Sequence, residues 1–124
     1  LHLLFPGSEI AIDQDLQITG VIREAGHEES FQHLSMGTQE QIAILVRLAF
    51  AEMLVEQGHP ATVSLDDALV FSDDDRMSRM FDILTLAARN VQVLVLTCRE
   101  QLFETLGGRQ LSLEAGSSEE LLSA

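Results

Sequence analysis

The chain has 124 residues with 20 acidic and 7 basic side chains, a net charge of -13, and every basic residue is an arginine. Without lysine it cannot hold a complete phosphate-binding P-loop by itself, because that loop's lysine sits on the nucleotide phosphates. So acidic a chain is also a poor direct ligand for DNA, RNA or an anionic membrane surface, where affinity rests on cations.

At 46% hydrophobic residues, the length suits one domain, or a piece of one, with a real core. No apolar run approaches the roughly 18 to 20 residues of a membrane span. The single cysteine, Cys98, permits no internal disulfide and fits a reducing, cytoplasmic compartment. The opening Leu-His-Leu-Leu-Phe-Pro-Gly has neither a start methionine nor the basic region of a signal peptide, and reads as part of a longer polypeptide.

In chain order, Ile10 and Ile12 alternate with polar neighbours, Asp13-Gln14-Asp15 forms a turn, and Leu16, Ile18 and Ile22 resume period two. The pattern predicts a β-hairpin. Arg23 to His33 is polar, contains Gly26, and reads as a loop. Thr38 through Gln57 carries Ile42, Ile44, Leu45, Val46, Leu48, Phe50, Met53 and Leu54, which predicts a well-buried helix. Thr38 and Gln41 give it a capping-box start, and Gly58 with Pro60 gives it a stop.

Ala61 to Leu65, ending in Asp66 and Asp67, has the composition of a buried strand with a polar exit. Asp73 to Asp75 favour the positive end of a second helix, whose apolar face holds Met77, Met80, Phe81, Leu84 and Ala87 or Ala88, with Asn90 as its C-terminal cap. Val91 to Leu96 is a further strand. A short helical stretch follows Cys98, then Gly107-Gly108 and a last strand around Gln110 to Leu113. Helix and strand alternate, and the strands are nearly all apolar, so the expected fold class is α/β with a mostly parallel sheet, covering helices and the β-hairpin on the N-terminal side.

Three clusters can carry chemistry. Leu34-Ser35-Met36-Gly37-Thr38-Gln39-Glu40-Gln41 feeds a small polar turn into a helix, and free N–H groups there with a serine hydroxyl suit an anion. The simpler reading is an ordinary capped helix. Asp66 and Asp67 stand at the carboxyl end of a strand, where ligands bind in open α/β sheets; one carboxylate can hold Mg2+ through its waters and the other can orient a water. They could equally be a polar strand exit. Ser72 to Asp75, taken alone, is a helix cap. Cys98, at the end of the next strand, falls on the same edge as Asp66 and Asp67 if the strands are parallel. His2, His27, His33 and His59 are scattered without metal-ligand spacing.

The order Leu34–Gln41, long helix, Val63–Asp67, Ser72-Asp73, Val93–Cys98 resembles the C-terminal lobe of an ABC-type ATPase head, a P-loop NTPase fold. It is most similar to the coiled-coil group: the SMC proteins, the double-strand-break repair ATPases and the bacterial YhaN-like ATPases. The resemblance spans roughly residues 30 to 100. It implies that Ser35 and Gly37 belong to the signature motif, with Met36 where a glycine is common, and that Gln41 lies in the same nucleotide-binding segment. It further implies that Asp66 supports Mg2+ and that Asp67 stands for the catalytic glutamate, one methylene shorter. Asp73 matches the D-loop aspartate and Cys98 takes the place of the switch histidine. Arg47 resembles an arginine that repair ATPases use to couple nucleotide state to the coil.

The implied function is ATP hydrolysis coupled to head dimerisation, in DNA repair or chromosome maintenance, with ATP and Mg2+ bound. The implied partners are an N-terminal P-loop lobe of the same protein and a second head, with any DNA contact made through other parts and none with a membrane. Residues 1–114 would be the lobe and 115–124 a tail, with a coiled coil joining upstream of Leu1 and the isolated chain inactive. A nucleotide-gated dimerisation module with little hydrolysis, a transporter ATPase fragment and a metal-dependent phosphohydrolase are the rival readings. The β-pattern before Ser35 favours a coiled-coil head over a transporter subunit.

Overall fold

The computed structural model describes residues 1–70 and 72–113; the expected tail lies outside them. Two sheets and three α-helices make a mixed α/β fold. The hairpin forms as β1 (Glu9–Ile12) and β2 (Ile18–Ile22), paired antiparallel with a bulge between Ala11 and Ile12. Asp13 explains the turn: its Oδ1 accepts from the N–H groups of Asp15 at 2.9 Å and Gln17 at 2.8 Å, which an Asx side chain does by mimicking a backbone carbonyl.

The stretch expected to be a loop holds a third strand, β3 (Glu28–Ser30), antiparallel to β2, followed by a 3-10 turn over Phe31–His33. Its Glu-Glu-Ser sequence carries no apolar alternation, and an edge strand needs none. The two backbones lie close at Gly20, where a Cβ would come within 2.4 Å of the Glu29 carbonyl oxygen. Arg23 and Glu29 close the turn with an ion pair at 3.1 Å, exposed and so worth little.

α1 runs Met36–Glu56, and its N-cap is Ser35 rather than Thr38. Burial of Leu34 beside Val21 and Ile42 fixes where the chain enters the helix, which puts the serine and not the threonine at the cap. The C-terminus follows the sequence: Gly58 at φ 85° turns the chain, with His59 N donating to Leu54 O at 2.9 Å, a Schellman arrangement. The buried residues of the helix run from its first turn to Ala51, and its last turns are largely open. Ile42, Ile44, Leu45 and Leu48 are buried, whereas Phe50, Met53 and Leu54 are open, and Arg47 is exposed.

β4 (Thr62–Asp66) and β5 (Gln92–Leu96) pair in parallel, in register from Thr62 with Gln92 to Asp66 with Leu96. Between them α2 (Asp74–Ala87) is capped by Asp73, whose side chain accepts from Arg76 N; it ends at Ala88 rather than Asn90. The described residues thus form two separate sheets, one antiparallel and one parallel, instead of a single mostly parallel sheet. Consecutive strands joined by short turns can only pair antiparallel, while β4 and β5 have a helix between them. α3 (Glu100–Phe103) and a 3-10 turn follow. The strand expected over Gln110–Leu113 does not form among the described residues, where Leu111 and Leu113 are exposed and belong to neither core.

One core joins Ile44, Leu45 and Leu48 of α1 to Val63, Leu65, Met80, Leu84 and Val91, and Phe103 from α3 closes it against Phe81 with ring centroids 5.5 Å apart. A smaller core, Val21, Leu34 and Ile42, ties the antiparallel sheet to the first turns of α1. Only one face of the parallel pair is covered: Val63 and Leu65 point inward, while Leu94 and Leu96 on the other face are open.

Leu65→Ala, at a 1% exposed position, is expected to destabilise the fold by about 2–5 kcal/mol. Leu94→Ala, on the open face, should cost less than about 1 kcal/mol. Urea denaturation monitored by circular dichroism measures both, and equal losses would contradict this assignment of the core.

Candidate functional site

Two clusters form the site, one at each end of a network carried by α1. At the helix start, Ser35 is exposed on the surface. Its Oγ accepts from Thr38 N at 3.2 Å and lies 2.8 Å from Thr38 Oγ1. Arg76 Nη1 donates to that same Thr38 oxygen at 3.3 Å. The Ser35 and Thr38 hydroxyls share one hydrogen bond in which either can donate, and Arg76 adds a donor to the Thr38 oxygen. The first N–H groups of α1 have no partner within the helix. Together they present donors of the kind that bind an anion. Gly37 lies on this first turn, buried, and Met36 beside it is exposed.

At the second cluster, the parallel register carries Asp66 to the end of β4 opposite Leu96, and Asp67 N continues the pairing to Leu96 O at 2.8 Å. Asp67 therefore emerges beside residues 97–99. Its Oδ1 lies 4.0 Å from Cys98 Sγ and 4.0 Å from Arg99 Nε. Asp66, Asp67 and Cys98 are all exposed, so the edge is open to a ligand. Among the described residues no group of three or more His, Cys, Asp or Glu side chains could hold a metal alone. Asp66 fits Mg2+ all the same, since this ion is commonly held by one or two carboxylates with phosphates and waters completing its shell.

Asp67 at φ 46° and Leu69 at φ 65° both adopt the left-handed region that side chains disfavour. The segment is held by α1: Leu69 N donates to Glu40 Oε1 at 2.8 Å, and Gln41 Nε2 donates to Ser72 Oγ at 2.8 Å. Gln41 is wholly buried. Its side-chain amide ties α1 to the 72–73 segment, and with Ser35 as the N-cap it does not complete a capping box with Thr38. Asp73 spends one carboxylate oxygen on Arg76 N at 2.9 Å and sets the other 3.6 Å from Arg76 Nε, while remaining exposed.

Sequence reasoning missed three of the participants: Glu40, Arg76 and Arg99. Arg99 was within reach of it, because a parallel register that pairs Asp66 with Leu96 carries the residues after each strand to one edge. Glu40 and Arg76 gave no signal, since their partners lie 29 and 38 residues away.

The chain matches no protein-family model. It is 32% identical over 111 residues to uncharacterized proteins of Mycobacterium tuberculosis and Mycobacterium bovis, a match that covers 89% of this chain and 12% of each relative. It thus spans about an eighth of the length of the curated relatives it matches. Among solved structures it is similar to one from work on the structural biochemistry of ATP-driven dimerization and DNA-stimulated activation of SMC ATPases. The TM-score is 0.60 at 16% identity, covering 98% of this chain and 81% of that one. The chain has the fold of that SMC ATPase structure. No helix of the described residues is long and apolar enough to cross a membrane.

Removing the Ser35 cap by Ser35→Ala should lower stability by about 0.5–2 kcal/mol, whereas Ser35→Asp, also a good cap, should stay within a few tenths. Thermal or urea unfolding of the two variants checks this, and equal losses would mean that the cap is not what Ser35 supplies.

Proposed function

We propose that this chain is the C-terminal half of an SMC-like ATPase head, completing ATP sites between two heads. One observation carries the reading. The parallel register of β4 and β5 brings Asp66, Asp67 and Cys98 to one sheet edge, in a chain whose fold is that of an SMC ATPase structure. Two further features support it. A two-stranded parallel pair whose second face, with Leu94 and Leu96 on β5, is open among the described residues calls for cover from more protein, and a chain without lysine needs its P-loop from elsewhere. Both needs are met by an N-terminal P-loop lobe of the same protein. Residues 1–114 form the C-terminal lobe in this reading, with 115–124 as its tail.

Bound Mg2+ would neutralise charge on the β- and γ-phosphates. Asp66 would hold it, directly or through a water. Asp67 orients the attacking water and takes up its proton. The Ser35 hydroxyl and the N–H groups of Met36 and Gly37 reach the γ-phosphate on the opposite head. Asp73 lies at the interface the two heads share, and Cys98 stands beside Asp67, where its weak thiol donor makes a poor phosphate sensor. The role that fits is in DNA repair or chromosome maintenance, with DNA held by other parts, because this lobe is too acidic to neutralise phosphates. Arg47, exposed on α1, would face whatever joins the head to its coil.

A second reading, nucleotide-gated dimerisation with little hydrolysis, is favoured by one observation. The Asp67 Oδ1 lies 4.0 Å from Arg99 Nε, which draws that oxygen toward the guanidinium and away from an attacking water. Dimerisation with ATP but no phosphate release above background would select it.

In the full-length protein, Asp67→Asn and Ser35→Arg are each expected to lower ATP turnover on the order of 100-fold or more. Unchanged turnover in both, measured as phosphate release, would sink the assignment. The 124-residue chain alone should release no phosphate from ATP with Mg2+, and activity there would favour a self-contained phosphohydrolase instead.

A further inference from the structure

We infer that Glu40 is a positioning residue for Asp67, acting through the backbone of Leu69; the inference rests on reading Asp67 as the carboxylate that orients water. Leu69 is wholly buried and left-handed at φ 65°, two residues beyond Asp67, itself left-handed at φ 46°. Asp is among the residue types that visit this region, but nothing intrinsic to Leu69 favours it. A buried N–H in such a turn must find an acceptor or lose the free energy of a hydrogen bond. The acceptor is Glu40 Oε1 at 2.8 Å, reaching across from the second turn of α1.

The next residue of α1 repeats the attachment, Gln41 to Ser72. The loop is thus pinned on its far side by α1, and on its near side by Asp67 N to Leu96 O. Between these two anchors the backbone that carries the Asp67 carboxylate has little freedom to drift. Glu40 Oε2 is buried with no hydrogen-bond partner among the described residues. Burying a carboxylate oxygen in this way is costly, and a residue kept only for packing would be better apolar. What Glu40 supplies that an apolar side chain cannot is the acceptor for Leu69.

The test uses the full-length protein with two variants of nearly equal length. Glu40→Gln keeps an acceptor oxygen and Glu40→Met does not. Glu40→Met is expected to lower kcat on the order of 10- to 100-fold, the scale of a small misplacement of a catalytic group, with KM for ATP and ATP-driven dimerisation within about twofold of wild type. Glu40→Gln should recover most of the loss. Wild-type kcat in Glu40→Met, or equal loss in both variants, would overturn the assignment. If Glu40→Met does not fold, hydrogen exchange at the Leu69 amide decides: protection in Glu40→Gln equal to wild type supports the acceptor role, and fast exchange in wild type refutes it. Asp67→Asn, measured alongside, separates the two claims. If it leaves turnover intact the ATPase reading fails; if it abolishes turnover while Glu40→Met does not, only the role of Glu40 fails.

Discussion

Burial of the first half of α1 between two sheets is the constraint on which the rest of the molecule depends. Ile42 turns one way, toward Val21 and Leu34 of the antiparallel side; Ile44, Leu45 and Leu48 turn the other way, toward Val63, Leu65 and α2. Each buried aliphatic side chain contributes roughly 1.5–3 kcal/mol of transfer free energy. A helix gripped on both sides cannot rotate without exposing one set or the other. Its N-terminus and the side chains of its first turns are therefore fixed relative to β4. That is why a serine at the helix start and a pair of aspartates at a strand end can belong to one device although no backbone pairing joins them.

Polar bonds then refine what the apolar contacts set. Glu40 to Leu69 and Gln41 to Ser72 cross from α1 to the segment between β4 and α2, and Arg76 of α2 donates to Thr38. The first two hold a loop with two left-handed residues in a single path, and the third ties α2 to the Thr38 hydroxyl beside Ser35. In a two-headed arrangement the Ser35 and Asp67 of one head would serve different nucleotides, so rigidity within the lobe would keep both sites in step with the same interface.

Much of this was legible in the sequence where a local rule decides the outcome. Asp13 made the hairpin turn, Gly58 and Pro60 ended α1, and the Asp73–Asp75 run opened α2. The β4 and β5 runs and the edge shared by Asp67 and Cys98 also followed from their patterns. Tertiary placement decided the rest. β3 is a polar edge strand and carries no periodicity; the start of α1 at Ser35 rather than Thr38 depends on where Leu34 is buried; Phe50, Met53 and Leu54 of α1 are exposed although they are as apolar as its buried residues. The contact of Gln41 with Ser72 gave no local signal, because its partner lies 31 residues away.

The central claim is that the signature end of one copy completes the site of another, and mixing two defective copies tests it most directly. Full-length Ser35→Arg and full-length Asp67→Asn are each inactive as homodimers in this account, yet a mixed pair contains one intact site. Random pairing in a two-fold dimer predicts that an equal mixture recovers about a quarter of wild-type ATP turnover. A mixture no more active than its separate components would contradict a site shared between copies.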